Sequence, residues 1–140
     1  MSTELAGTCA AVAGFPITDV AGHPSFPVAV AVAQDRILGA VAPVTTLVEG
    51  LQIGSGKGRL GKVHVTPSGA VWAAGGAPAA GDATLIVRGT VSPDATFGPT
   101  WSEALVPGLG GVRSLWATDV PSPAAYVVTQ GGALYRIEGL

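Results

Sequence analysis

The chain has 140 residues, enough for one domain, with a net charge of −2, 11% charged residues and 48% hydrophobic residues. That composition is too apolar for a disordered chain and gives no electrostatic case for nucleic acid. Its apolar runs are broken by Pro, Gly and polar residues well short of the ~20 that cross a membrane as a helix. Cys9 is the single cysteine, so no internal disulfide can form, and it reads as a small buried hydrophobe. No basic region followed by an apolar core opens the chain, so no secretory signal is visible and the compartment is left open.

Residues 3–13 (TELAGTCAAVA) precede a pattern that occurs three times. In the first copy, Ile17 to Val20 predicts a strand and His23-Pro24 a turn. Val28 to Ala33 (VAVAVA) is a second strand, Gln34-Asp35 a tight turn, and Arg36-Ile37-Leu38 a third strand. Thr45 to Leu51 supplies a fourth.

The middle copy begins at Val63 to Thr66, turns at Pro67-Ser68-Gly69, and continues with Ala70 to Ala74. Gly75-Gly76 is expected to open a longer loop before Thr84 to Gly89. Thr100 to Val106 is the fourth strand. The last copy has strands at Val112 to Ala117, Ala125 to Gln130 and Ala133 to Glu138, the last two joined by a Gly-Gly hairpin turn.

Ile17, Val63 and Val112 mark the first strands, at steps of 46 and 49 residues. That is the length of a four-stranded propeller blade, roughly 40 to 50 residues. The low charge fits this architecture. Stacked blades bury the inner strands on both faces, which then read as continuous apolar runs.

The expected fold is all-β: a propeller of three four-stranded blades, about 14–51, 60–106 and 109–140, within one domain spanning 1–140. The last copy lacks a fourth strand, whereas Thr3-Glu4-Leu5 resembles Ser102-Glu103-Ala104-Leu105. Residues 3–13 are therefore expected to complete the last blade. Closed propellers contain about four to eight blades, so three predict a homodimer forming one six-bladed ring by exchange of terminal strands. An uncovered blade face would carry residues such as Val28, Val30, Val71 or Tyr126.

Between the third and fourth strands of the middle copy, Ser92-Pro93-Asp94-Ala95-Thr96-Phe97-Gly98-Pro99-Thr100-Trp101 resembles the Asp-box of sialidase-type (BNR) propellers, S-x-D-x-G-x-T-W. Two extra residues separate Asp94 from Gly98. The resemblance implies a structural box of Ser92, Asp94, Gly98, Thr100 and Trp101, in which Asp94 caps turn amides and Trp101 packs between strands. It implies no catalytic role.

Other motifs do not carry chemistry. Gly56 to Gly61 matches G-x-G-x-x-G, and Gly56 to Lys62 begins like a P-loop, but a strand follows where phosphate binding needs a helix. The segment reads as a flexible basic loop. Asp19 and His23 lie four apart on a strand and turn, with no third metal ligand near. His64 reads as a packed strand residue. Arg36, Arg88 and Arg136 are expected at matching third-strand positions, a repeated structural role, and Tyr126 and Tyr135 lie inside strands. No catalytic residues, metal ligands or cofactor are assigned.

The functional expectation is a non-catalytic binding module that takes carbohydrate or protein at loops of one propeller face. Trp116 and Asp119 are its candidate contacts, with a core position for Trp116 as the alternative. Other readings are a purely structural, self-assembling half-propeller, a fragment of a larger propeller, a strand-exchanged fibre subunit and, least supported, a glycosidase-like enzyme. Self-association, with a glycan or protein ligand, is expected; nucleic acid and membrane partners are not.

Overall fold

A computed structural model describes residues 16–41, 51–52, 59–77, 83–107 and 109–140. Among them there is no helix. Eleven strands form three separate antiparallel sheets, each in up-and-down order. Sheet 1 holds β1 (Asp19–His23), β2 (Phe26–Ala33), β3 (Arg36–Val41) and β4 (Leu51–Gln52). Sheet 2 holds β5 (Arg59–Val65), β6 (Ala70–Ala77), β7 (Ala83–Thr90) and β8 (Ser102–Val106). Sheet 3 holds β9 (Val112–Thr118), β10 (Ala124–Thr129) and β11 (Leu134–Glu138).

The all-β expectation agrees with this architecture of three sheets, each of three or four antiparallel strands. Residues 3–13, 45–50 and 56–58, with Cys9, lie outside the described residues.

Sheet 2 is packed on both faces. Val30, Val32 and Ile37 of sheet 1 meet Val63, Val65, Val71, Leu85 and Val87 on one side. On the other, Trp72, Ala74 and Ile86 meet Leu115, Ala117, Ala125 and Val127 of sheet 3. Alternate residues of β6 thus serve different interfaces, because successive strand side chains point to opposite faces. This is why Val71-Trp72-Ala73-Ala74 is a continuous apolar run and is fully buried. Each buried Val, Leu or Ile contributes about 1.5–3 kcal/mol of transfer free energy, as an upper range.

Polar contacts fix the sheets beside one another. The Thr18 hydroxyl lies 3.0 Å from the main-chain oxygens of both Val32 and Leu60. The Leu60 amide donates to the Gln34 carbonyl at 2.6 Å. The Val63 amide donates to the Asp19 carboxylate at 3.0 Å, which gives Asp19 a structural partner. Between sheets 2 and 3, the Thr84 hydroxyl donates to the Gly110 carbonyl and Arg88 to the Leu140 main-chain oxygen, the latter at 2.8 Å.

Several local expectations are corrected. Gly75 and Gly76 do not open a loop; both belong to β6. A Cβ on Gly75 would overlap the main chain of Arg59, so glycine there permits close approach of β5, next to the irregularity between Leu60 and Lys62. Arg59 to Lys62 is strand, not loop. Arg36 does not match Arg88 and Arg136. It opens β3 opposite Ala33, whereas Arg88 pairs with Trp72 and Arg136 with Tyr126. Val28, Val30 and Val71 are buried between sheets 1 and 2, so of the residues expected on an outer face only Tyr126 lies on one.

Candidate functional site

The three first strands, β1, β5 and β9, lead to neighbouring turns at one end of the stack. Their ends and the following turns line an open cleft of about 550 Å3. His23 comes from β1, His64 from β5, Pro67 and Ser68 from the β5–β6 turn, and Trp116 from β9, with Asp119 and Val120 just beyond. The cleft brings Trp116 and Asp119 together. It also adds His23, His64 and Ser68, which were not assigned to a site from the sequence.

Trp116 is placed by strand alternation. Its neighbours Leu115 and Ala117 point into the core against sheet 2, so Trp116 takes the opposite face. It is 54% exposed, outside both buried clusters of the described chain. Its ring meets Tyr126 at 5.6 Å between centroids and 42°, and His64 edge-on at 6.2 Å and 60°. These contacts orient the indole without covering it.

Asp119 accepts a hydrogen bond from the Ser68 hydroxyl at 2.8 Å. Ser68 and Thr66 hydroxyls lie 3.1 Å apart. The β9–β10 turn is held locally: the Val120 amide donates to the Thr118 hydroxyl oxygen at 3.1 Å. The His23 Nδ1 accepts from the Ser25 amide at 3.0 Å, so in the neutral ring Nε2 carries the proton and is a donor. Burial, with His23 nearby as a smaller cause, pulls the His64 pKa below its ordinary value, favouring the neutral imidazole. Among the described residues the cleft therefore offers an aromatic face, one carboxylate, two hydroxyls and two imidazoles.

The Asp-box-like segment lies elsewhere, between β7 and β8. The Ser92 amide donates to the Thr96 carbonyl at 2.8 Å and the Ala95 amide to the Ser92 carbonyl at 2.9 Å. Ala95 takes a left-handed backbone with φ of 67°. The Thr96 amide donates to Asp94 Oδ1 at 3.1 Å. Hydrogen bonds from the Thr96 side chain and amide hold the Asp94 carboxyl below its ordinary pKa.

Gly98 donates its amide to the Thr90 carbonyl at 2.8 Å, and the Trp101 indole N–H reaches the Gly98 carbonyl at 3.2 Å. The Trp101 ring covers Gly89, where any Cβ would collide with it. Thr100 is exposed. Trp101 and Phe97 pack on the core shared by sheets 1 and 2. Ser92, Asp94, Gly98, Thr100 and Trp101 do not line the cleft.

Among the described residues, no group of three His, Cys, Asp or Glu side chains could hold a metal ion. A second hollow of about 410 Å3, lined by Ser122, Pro123, Glu138, Gly139 and Leu140, has no aromatic wall among the described residues. No family model matches the chain, and neither a curated protein nor a solved structure matches it.

Proposed function

We propose that this chain is a non-catalytic β-propeller binding module, contributing three blades, and that the cleft at the first-strand ends takes carbohydrate. The observation that carries this reading is the half-exposed Trp116 ring, held on edge by His64 and Tyr126 and facing a cleft with polar groups around it. A pyranose presents a C–H face that stacks on an indole. Its rim of hydroxyls needs both donors and acceptors, which Asp119, Ser68 and the two histidines supply. Pockets of this kind combine an apolar floor with a few fixed polar groups.

Among the described residues, Asp119 is the single carboxylate lining the cleft, whereas glycoside hydrolysis ordinarily uses a pair. That supports binding over glycosidase chemistry. The propeller reading draws support from three consecutive antiparallel sheets stacked face to face, with neighbouring first strands. The turn around Asp94 and the packing of Trp101 support a structural role for the Asp-box-like segment.

The test is a thermal-shift screen against a saccharide panel, repeated with Trp116→Ala. The expected outcome is a saturable rise in Tm with at least one sugar, about 3–4 kcal/mol of apparent stabilisation at 100 to 1,000 times Kd, lost in the variant. An undiminished rise in Trp116→Ala would move the site away from this cleft.

A further inference from the structure

The cleft at the first-strand ends is uneven in charge. Among the described residues no Lys or Arg lines it, and Asp119 is its one carboxylate. The Ser68 hydroxyl donates to Asp119 Oδ2 at 2.8 Å, and among the described residues no donor reaches Oδ1. A hydroxyl supplies a hydrogen bond but no opposing charge. Glu138, by contrast, faces Arg136 at 3.1 Å. The imidazoles do not neutralise Asp119 either. Burial holds His64 toward its neutral form. His23 Nδ1 accepts from the Ser25 amide, and a nitrogen that accepts carries no proton.

This carboxylate stands beside an aromatic face. Asp119 follows β9, the strand that carries Trp116, within about 10 Å along the chain. The face of an indole is the negative side of its quadrupole, so both groups attract positive charge. An acidic sugar would meet Asp119 with no Lys or Arg lining the cleft to offset the repulsion. A neutral sugar strips water from the carboxylate and returns hydrogen bonds from uncharged donors. A protonated amine returns a bond with both partners charged, shorter and stronger.

We propose that the cleft selects a cationic saccharide, an amino sugar whose free amine is protonated, with the ammonium on Asp119 and a C–H face of the sugar on Trp116. The inference rests on the carbohydrate reading above and names the class of sugar. In glucosamine the amine lies on the rim of the ring, next to the C–H groups that stack. Its charge draws electrons from those C–H groups, which strengthens their contact with the indole face. The same charge meets the carboxylate oxygen that Ser68 leaves open.

The test uses oligomers of glucosamine, N-acetylglucosamine and glucose with the same linkage and length. They differ in one ring substituent: an ammonium, an acetamide or a hydroxyl. Each is titrated calorimetrically into the full chain at about pH 7, where an amine of this kind keeps much of its charge. The glucosamine oligomer should bind with a Kd at least about tenfold below the other two. The preference should shrink as salt is raised and be lost in Asp119→Asn. That variant keeps an acceptor for Ser68, and a Tm close to the native one verifies its fold. The salt series on the native chain needs no variant.

Equal affinity for the three oligomers would overturn the inference, and so would a preference that survives salt or persists in Asp119→Asn. Neutral oligomers that bind through Trp116 without such a preference leave the carbohydrate reading intact. No binding by the glucosamine oligomer overturns the inference as well. Whether the carbohydrate reading falls with it is then decided by the saccharide panel and Trp116→Ala.

Discussion

Two cross-strand rows of the molecule have nearly the same chemistry and opposite surroundings. In sheet 2, His64, Trp72 and Arg88 lie side by side across three strands; in sheet 3 the row is Trp116, Tyr126 and Arg136. Each runs from an aromatic or imidazole ring on the first strand, through an aromatic residue, to an arginine on the third. Sheet 3 covers the first row, and Trp72 is wholly buried. Arg88 has its guanidinium carbon 5.4 Å from the Trp72 ring and donates to Leu140.

The second row has no sheet over it among the described residues. Trp116 is exposed, and Arg136 turns to Glu138 at 3.1 Å in a solvated ion pair. Strand alternation gives the two rows similar chemistry, but stacking order buries one and leaves the other exposed among the described residues.

The largest expected effect tests the covered row. Trp72→Ala should lower stability by about 3–5 kcal/mol, as for other buried aromatic truncations, in urea denaturation. Trp116→Ala should change it by less than about 1 kcal/mol. Equal losses at the two sites would erase the distinction between the rows.

The arginines should follow the same order with smaller values. Arg88→Ala removes a hydrogen bond to a main-chain oxygen and a stacked cation, a loss of about 1–3 kcal/mol. Arg136→Ala removes a half-exposed pair and should cost less than about 0.5 kcal/mol after solvent screening. Chemical denaturation of both variants at two salt concentrations checks this, since only the Arg136 effect should shrink with salt.

Asp94→Ala removes the acceptor for the Thr96 amide. A modest fall in Tm with sugar binding unchanged is expected; lost binding at an unaltered Tm would place Asp94 in a site. The smallest effect is a pH slope from His64. Its folded pKa lies below the ordinary 6.5, so the unfolded chain binds the proton more readily. Stability is then complete above 6.5, declines as pH falls below it, and levels off under the folded value. Denaturation midpoints should decline over that window in the native chain and less so in His64→Gln.

Much of the fold was legible because strand signals are local. The apolar runs at Val28 to Ala33 and Val71 to Ala74, and the turns at Gln34-Asp35 and Pro67 to Gly69, all carry their structure in adjacent residues. Gly75 was misread because a glycine pair signals a turn, whereas here it accommodates Arg59, sixteen positions away in sequence. Arg36 was misaligned because a shift in register between copies leaves no local mark.

In the site, Trp116 and Asp119 stood out as an indole and a carboxylate at a strand end. His23, His64 and Ser68 did not, because only the packing of three first strands brings them into one cleft. The alternation of Leu115 and Ala117 around Trp116 was the signal that could have placed its ring outside the core.

The central claim is that the open row is a ligand face and the covered row a structural one. Tryptophan fluorescence during saccharide titration tests it most directly, since the chain has three tryptophans and Trp72 is sealed from solvent. The account predicts a saturable change in the native chain with at least one sugar, absent in Trp116→Phe of unaltered Tm. A saturable change that survives intact in Trp116→Phe, or none with any sugar in the panel, would contradict it.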